Sequence, residues 1–303
     1  MTVDTKRLSF ALSIISSLAL LSACGPMNDD GNGNGTNGKS AQLTFDGSSL
    51  SSLGGDYVFE GWLVVNGTPE STGRFSVKDG KSSYEFDVPA DLADKAKDGG
   101  KFVLTIEPKE GDDPAPSKTK YLAGTLKDGS TTATIGAGPA LGTDFSSATG
   151  KFILAAPSSD SASYKNGIWF IEPKSGMKTP GLDLPELPEG WEYEGWVANS
   201  DGPVTTGRFT SVDGEDSDGG GPAAGSKMTP PFPGQDFVKG SDKIDLTTGG
   251  YKAVISVEPK PDNSPKPFAL KPLVGSITDA GAKMPQSMDN KAGNAPTLSV
   301  TIQ

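Results

Sequence analysis

The sequence predicts an all-β protein with two tandem antiparallel β-sandwich domains, and three observations lead to this prediction. The 303-residue chain carries 40 Gly and 24 Pro, which interrupt it every few residues and favour short strands over long helices. Apolar and polar residues alternate over short segments, as they do in half-buried strands. A motif in the first half of the chain recurs in the second half, which predicts two copies of one domain.

The first 23 residues are typical of a signal peptide. Lys6 and Arg7 precede an apolar segment at 8–21, which is too short to cross a bilayer core of ~30 Å comfortably. The residues Leu-Ser-Ala-Cys-Gly at 21–25 resemble the lipobox of bacterial lipoproteins. That resemblance implies cleavage before Cys24 and attachment of lipid, including palmitate, to its thiol. Cys24 is the single cysteine of the chain, so no disulfide is expected.

The same resemblance implies a location in the cell envelope. In lipoproteins of bacteria with two membranes, an Asp after the lipidated cysteine favours retention in the inner membrane. Here that position is Gly25, which favours the outer membrane. Residues 24–40 are rich in Gly and Asn, which predicts a disordered tether between the lipid anchor and the first domain.

The composition excludes several classes of function. The chain contains no His, which excludes Ser-His-Asp and Cys-His catalysis and zinc sites that need His. The formal net charge is −11, and an acidic surface repels phosphates, so no nucleic-acid partner is expected.

The strongest internal repeat joins residues 57–80 to residues 191–214. The two segments align without a gap and share ten of 24 positions, including Glu-Gly-Trp and Thr-Gly-Arg-Phe. A second pair of segments, 102–126 and 253–277, shares Glu-Pro-Lys and later Pro and Gly positions. We predict domains at 41–180 and 181–303, the second with an acidic Gly/Pro-rich insertion at about 215–235.

Local patterns predict the elements within each repeat. Residues 57–65 and 72–77 form a hairpin around Asn66-Gly67, a favoured turn dipeptide. Residues 151–156 and 167–171 are expected to add two strands in the first repeat only. Residues 91–97 form the one predicted helical turn, with Asp91 as its N-cap.

The hairpin places charged residues opposite each other on one face. A turn centred on Gly67 sets Glu60 opposite Arg74, with Trp62 on the same face. The second repeat offers the equivalent set Glu194, Trp196 and Arg208. Two interpretations remain open: a binding surface, or cross-strand ion pairs beside a packed Trp, which we favour.

These motifs resemble the extracytoplasmic C-terminal domain of anti-sigma-K factors. The resemblance covers most of residues 41–303 and rests on the Glu-Gly-Trp strand, Thr-Gly-Arg-Phe and the later Glu-Pro and Pro-x-Pro motifs. It implies a small, non-catalytic β module outside the cytoplasm. This chain lacks the cytoplasmic helical domain and the membrane-spanning helix of that family, so it is not expected to reach a cytoplasmic sigma factor directly.

Paired carboxylates are the catalytic groups that a chain without His builds most easily. Glu60, Glu107, Glu194 and Glu258 recur between the repeats, but the first and third have an Arg available. The insertion also offers a weak calcium site, since oxygen ligands in a Gly-rich loop suit Ca²⁺. Its candidate ligands are Asp213, Glu215, Asp216 and Asp218.

Three functions follow from these features. The first is a non-catalytic, lipid-anchored envelope protein that binds an unidentified protein or an envelope glycan, or acts as a scaffold. The second is an anti-sigma-like regulatory or sensing module that works through a membrane-bound partner. The third is a hydrolase that uses carboxylates. No cofactor other than the calcium candidate is expected.

Overall fold

The structure is a computed structural model that describes residues 40–78, 83–174, 176–262 and 264–303. The signal peptide, Cys24 and the tether up to residue 39 therefore lie outside the described residues. Among the described residues, no helix has the length and hydropathy needed to cross a membrane.

The described residues form an all-β fold with one short α-helix and three 3₁₀ turns. The helix is α1 (Ala90–Ala96). The strands are β1 (Ser40–Asp46), β2 (Tyr57–Val65), β3 (Thr68–Phe75), β4 (Ser83–Pro89), β5 (Lys101–Pro108), β6 (Lys120–Thr125), β7 (Ser130–Thr134), β8 (Thr149–Leu154), β9 (Gly167–Trp169), β10 (Ile171–Lys174), β11 (Met177–Pro180), β12 (Leu182–Asp183), β13 (Trp191–Asn199), β14 (Gly202–Phe209), β15 (Gly234–Asp236), β16 (Lys252–Pro259), β17 (Leu273–Ser276), β18 (Gln286–Asn290) and β19 (Thr297–Ile302).

Most strands belong to two nearly closed antiparallel sheets, which confirms the all-β, two-domain prediction. The first sheet has the order β3-β2-β5-β6-β7-β19-β1-β4. The second has the order β14-β13-β16-β17-β18-β8-β9-β15, with β12 paired to β8. Strands β10 and β11 form a separate hairpin.

The same position in each sheet is filled by a strand from the other half of the chain. In the first sheet, β19 lies between β7 and β1. In the second sheet, β8 lies between β18 and β9. The two copies have therefore exchanged their final strands, and the two sheets share strands across the predicted boundary at 180 and 181.

The prediction that residues 151–156 and 167–171 add strands to the first repeat only is wrong. Strands form there as β8 and β9, but both belong to the second sheet. Strand β9 is the counterpart of β1, because Phe170 beside it lies against Gly195 as Phe45 of β1 lies against Gly61. Alternation predicts that a strand forms, but it does not say which neighbour the strand will pair with.

Each sheet curls around aromatic side chains that alternate inward. The rings of Phe45 and Phe102 lie 4.9 Å apart inside the first sheet, and those of Tyr193 and Phe209 lie 5.7 Å apart in the second. The curl brings β3 close to β4, where Gly73 has φ +129° and a Cβ would lie 2.5 Å from Phe86. This close approach requires glycine, which explains one of the repeated positions.

A third set of rings joins the two sheets. Tyr121 of the first sheet lies 5.8 Å from Trp191 and 5.3 Å from Phe268, both on the second-sheet side. The Lys118–Glu189 ion pair and the hydrogen bond from Thr119 Oγ1 to Gly190 O lie in the same region. These contacts fix the loops that carry the candidate site.

The predicted helical turn is present, but the predicted cap is wrong. The N-cap of α1 is Pro89 and makes no side-chain cap hydrogen bond. Asp91 lies inside the first turn, where its carboxylate pairs with Lys95 at 3.0 Å. An acidic residue is also favourable there, because it faces the positive end of the helix dipole.

Candidate functional site

The recurring Glu and Arg lie opposite each other in both hairpins. The register pairs Glu60 with Arg74 between β2 and β3, and Glu194 with Arg208 between β13 and β14. Both hairpins contain a register shift next to the Glu-Gly-Trp segment. All four side chains therefore project from equivalent places on the two sheets.

The recurring Trp residues are buried, and each forms a hydrogen bond to the neighbouring strand of its sheet. Trp62 Nε1 donates to Thr105 Oγ1 at 2.9 Å, and Trp196 Nε1 donates to Ser256 Oγ at 2.8 Å. Both partners lie on the neighbouring strand, β5 or β16. A buried indole N–H with a hydrogen-bond partner is a packing group, and neither ring is presented to solvent as a binding platform.

In the first sheet an arginine neutralises the buried carboxylate. Arg74 Nε lies 3.6 Å from Glu60 Oε2, and its Nη2 lies 3.4 Å from Asp112 Oδ2. Arg74 also donates to Pro108 O, and Ser71 Oγ donates to the other oxygen of Glu60. Both oxygens of Glu60 therefore have a partner, although the residue is only 6% exposed.

In the second sheet the equivalent arginine turns to another glutamate. Arg208 Nη1 lies 3.7 Å from Glu192 Oε1 and donates to Asp262 O at 3.2 Å. Lys260 also pairs with Glu192, at 3.2 Å. The position of Glu192 is occupied by Val58 in the first repeat. The recurring arginine thus pairs with the recurring glutamate in the first sheet and with the glutamate two positions before it in the second.

Three carboxylates remain together beside the displaced arginine. One oxygen each from Glu194, Glu258 and Asp262 lie within 4.8 Å of one another, and this is the one such group found among the described residues. Glu194 is 5% exposed and Glu258 is fully buried. The Oε2 atoms of both glutamates lack a hydrogen-bond partner within the part of the chain that the structure describes.

The first oxygens of these glutamates are held in place. Glu194 Oε1 accepts from Thr205 Oγ1. Glu258 Oε1 accepts from Ser256 Oγ and from Phe268 N, the latter at 2.8 Å. The side chains are therefore oriented, and the second oxygen of each is directed away from these donors.

Burial governs the protonation of the cluster. It raises the pKa of Glu194 to about 8, opposed by the Thr205 hydrogen bond and reinforced by the charge of Glu258. Burial likewise raises the pKa of Glu258 to about 7. The pKa of Lys271, near Glu258, is lowered by its own burial. In the first sheet the pKa of Glu107, the counterpart of Glu258, is also raised by burial.

A cleft of about 510 Å³ opens beside the cluster. Residues 51–56, between β1 and β2, and Tyr57 at the start of β2 line one side, and residues 264–269, between β16 and β17, line the other. Glu258, Asp262 and Lys271 lie along its wall. The cleft is bridged at one point by Tyr57, whose hydroxyl donates to Pro261 O at 3.2 Å. Both halves of the chain thus contribute to one site.

The four acidic residues of the insertion do not form a comparable group within the described residues. Asp213, Glu215 and Asp218 are exposed. Asp216 is buried, and its two oxygens accept from the amides of Asp218 and Gly234 at 3.0 and 2.9 Å. Its carboxylate therefore connects the insertion to β15, next to Gly207 of β14.

Sequence reasoning identified Glu194 and Glu258 as recurring residues but missed the group that they form. The sequence gives no signal for Asp262, because this residue follows the aligned Glu-Pro-Lys motif in a loop and is not a repeated position. Glu192 was overlooked because it is not conserved between the copies. Comparing the repeats for their differences would have found it, since a charged residue replaces Val58 next to the shared motif.

Comparisons of this chain with protein families, with curated proteins and with solved structures found no match.

Proposed function

We propose that this protein is a non-catalytic, lipid-anchored protein of the cell envelope, and that it binds a glycan in the cleft between its two sheets. The observation that carries the proposal is the cleft, whose two walls come from the two halves of the chain. A volume of about 510 Å³ falls in the range of ligand-binding pockets. The signal-peptide pattern that ends at Cys24 supports the lipid anchor, which would hold the protein at a membrane surface.

The lining suits a polyhydroxylated ligand. Tyr57 and Phe268 offer half-buried aromatic rings, while Ser51, Ser52 and Ser264 offer exposed hydroxyl groups. Such sites combine apolar area with a few polar groups that fix the orientation of the ligand. A protein partner remains the alternative, and the experiment separates the two.

A hydrolase is the second candidate, because two carboxylates whose Oε2 atoms receive no hydrogen bond from the described residues lie beside a cleft. In a glycosidase the two carboxyl groups flank the scissile bond, so both must reach the substrate. Glu258 is fully buried, and Glu194 is 5% exposed and does not line the cleft. This geometry favours binding over hydrolysis.

The binding proposal is tested by co-sedimentation of the full chain, purified in detergent, with insoluble envelope glycan from its own bacterium. A Gly54→Phe substitution should fill the cleft, because a Cβ at Gly54 meets no atom within 4 Å. Gly293→Phe is the matched control, since a Cβ there is equally free and lies outside the cleft. We expect Gly54→Phe to weaken binding at least tenfold and Gly293→Phe to leave it unchanged.

Equal sedimentation of the two variants, or none of the unaltered chain, would overturn the glycan proposal. Release of soluble sugar during the incubation would favour the hydrolase. Capture of a membrane-bound regulator from detergent-solubilised envelope, lost in Gly54→Phe only, would favour the regulatory module. For the anchor, Cys24→Ser should move the protein from the membrane fraction to the soluble fraction.

A further inference from the structure

We infer that Glu194, Glu258 and Asp262 form a calcium site in the second sheet, at the place where the first sheet holds the guanidinium of Arg74. The inference does not depend on the glycan proposal. It also differs from the acidic insertion, whose carboxylates lie elsewhere.

The two sheets differ in the glutamate that their recurring arginine binds. Each sheet carries a buried glutamate on the first strand of its hairpin, Glu60 on β2 and Glu194 on β13. A charged carboxylate is costly to bury unless a cation lies beside it. In the first sheet Arg74 lies within 3.6 Å of both Glu60 and Asp112. In the second sheet Arg208 is drawn to Glu192 instead. The recurring arginine is thus an ion-pair partner of the recurring glutamate in the first sheet, whereas in the second sheet its charge acts on Glu194 from a longer distance.

One oxygen of each glutamate has no hydrogen-bond partner among the described residues. Glu194 Oε2 and Glu258 Oε2 are buried and receive no hydrogen bond from any described residue. Buried polar atoms are nearly always paired, so two unpaired atoms in one group indicate an absent ligand. Their Oε1 atoms are occupied by Thr205, Ser256 and Phe268 N, which aims the free oxygens at the remaining space.

Further charged side chains surround the three carboxylates. Glu192 faces Glu258 across β13 and β16, so a fourth carboxylate adds to the negative charge. Arg208 and Lys260 are engaged by Glu192. Lys271 Nζ donates to Phe268 O at 2.6 Å and not to a carboxylate of the group. The cations nearby are thus hydrogen-bonded or ion-paired to other acceptors, and Lys271 and Arg208 act on Glu258 and Glu194 through their charge alone.

The chemistry of the donors selects the metal. Three carboxylates with no nitrogen or sulfur ligand suit a hard divalent cation. Oxygens within 4.8 Å of one another accommodate an ion with bonds of ~2.4 Å, the length found for Ca²⁺. Asp262 lines the cleft, so water can enter from that side and complete the six to eight ligands that Ca²⁺ takes.

The test is thermal unfolding of the full chain in detergent after removal of metal with EDTA. At a Ca²⁺ concentration one hundred times its Kd, we expect the Tm to rise by about 5 °C, and excess EDTA should reverse the rise. Calorimetric titration should give one ion per chain. Glu258→Gln and Glu194→Gln should each abolish at least nine-tenths of the rise.

These variants are expected to fold, because Gln keeps the shape of the side chain and removes a buried charge. Two controls share their chemistry. Glu60→Gln changes the equivalent residue of the first sheet, and Asp213→Asn changes the insertion; both should retain the full rise. A Tm that does not change when Ca²⁺ is added would overturn the proposed calcium site. So would a rise that survives Glu258→Gln and disappears in Asp213→Asn. An equal response to Mg²⁺ at the same concentration would overturn the assignment to calcium.

Discussion

The two sheets solve the same electrostatic problem in different ways. Each carries a buried glutamate on its hairpin, at Glu60 or Glu194. The first sheet supplies a guanidinium from Arg74, which leaves both oxygens of Glu60 paired. In the second sheet the arginine pairs with Glu192, and two glutamate oxygens receive no hydrogen bond from the described residues. The difference teaches that a duplicated scaffold can keep its backbone register while its recurring arginine pairs with a different carboxylate in each copy.

The largest expected effect comes from removing the arginine of the first sheet. Arg74→Met leaves Glu60 buried without its cation, which should lower the free energy of unfolding by about 2 kcal/mol, given that Arg74 is partly exposed. Arg208→Met should cost less than about 1 kcal/mol, because Lys260 still pairs with Glu192. Urea denaturation of the metal-free variants measures both. Equal losses would contradict the difference between the sheets.

The next effect is a dependence of stability on pH. The pKa values of Glu194 and Glu258 are raised by burial to about 8 and about 7 in the folded state. The folded protein therefore binds more protons than the unfolded chain between pH 5 and 8, and its stability falls as the pH rises through that window.

We expect a loss of roughly 1–2 kcal/mol from pH 5 to pH 8 in EDTA, measured by urea denaturation at each pH. Glu194→Gln should flatten the curve, since the group with the higher pKa is then absent. A curve for Glu194→Gln that is as steep as that of the unaltered chain would show that other groups cause the slope.

A smaller effect is expected when the second sheet is given the residue of the first. Glu192→Val frees Arg208 to approach Glu194, as Arg74 approaches Glu60. The metal-free protein should gain about 0.5–1 kcal/mol, and its affinity for Ca²⁺ should fall about tenfold because a cation already occupies the site. Calorimetric titration gives the affinity. Tighter calcium binding in Glu192→Val would contradict the proposed exchange of cations.

The smallest difference is expected where the sheets are alike. Trp62→Phe and Trp196→Phe each remove one indole N–H, which donates to Thr105 or Ser256. Each should cost about 1 kcal/mol, the net value of a buried hydrogen bond. The two losses should agree within about 0.5 kcal/mol. A much larger loss in one sheet would show that the shared framework has also diverged.

The sequence was informative where local pattern decides the structure. The Asn66-Gly67 turn and the spacing of the repeated motifs predicted hairpins in which Glu60 faces Arg74, and the structure has this register. Strand exchange could not be predicted, because the apolar residues of β8 and β19 predict a strand at each place without specifying the sheet that it joins. The group of three carboxylates could not be predicted from the sequence, because the β16–β17 loop brings Asp262 close to Glu194, which lies far from it along the chain.

The exchange of strands also sets the order in which the protein can be completed during synthesis. Strand β7 ends at residue 134, whereas its neighbour β19 begins at residue 297. Until that later segment emerges, β7 and β1 keep bare edges that can pair with other chains. A chain truncated before residue 297 would therefore be prone to aggregation, and pairing over so long a separation should make folding slow.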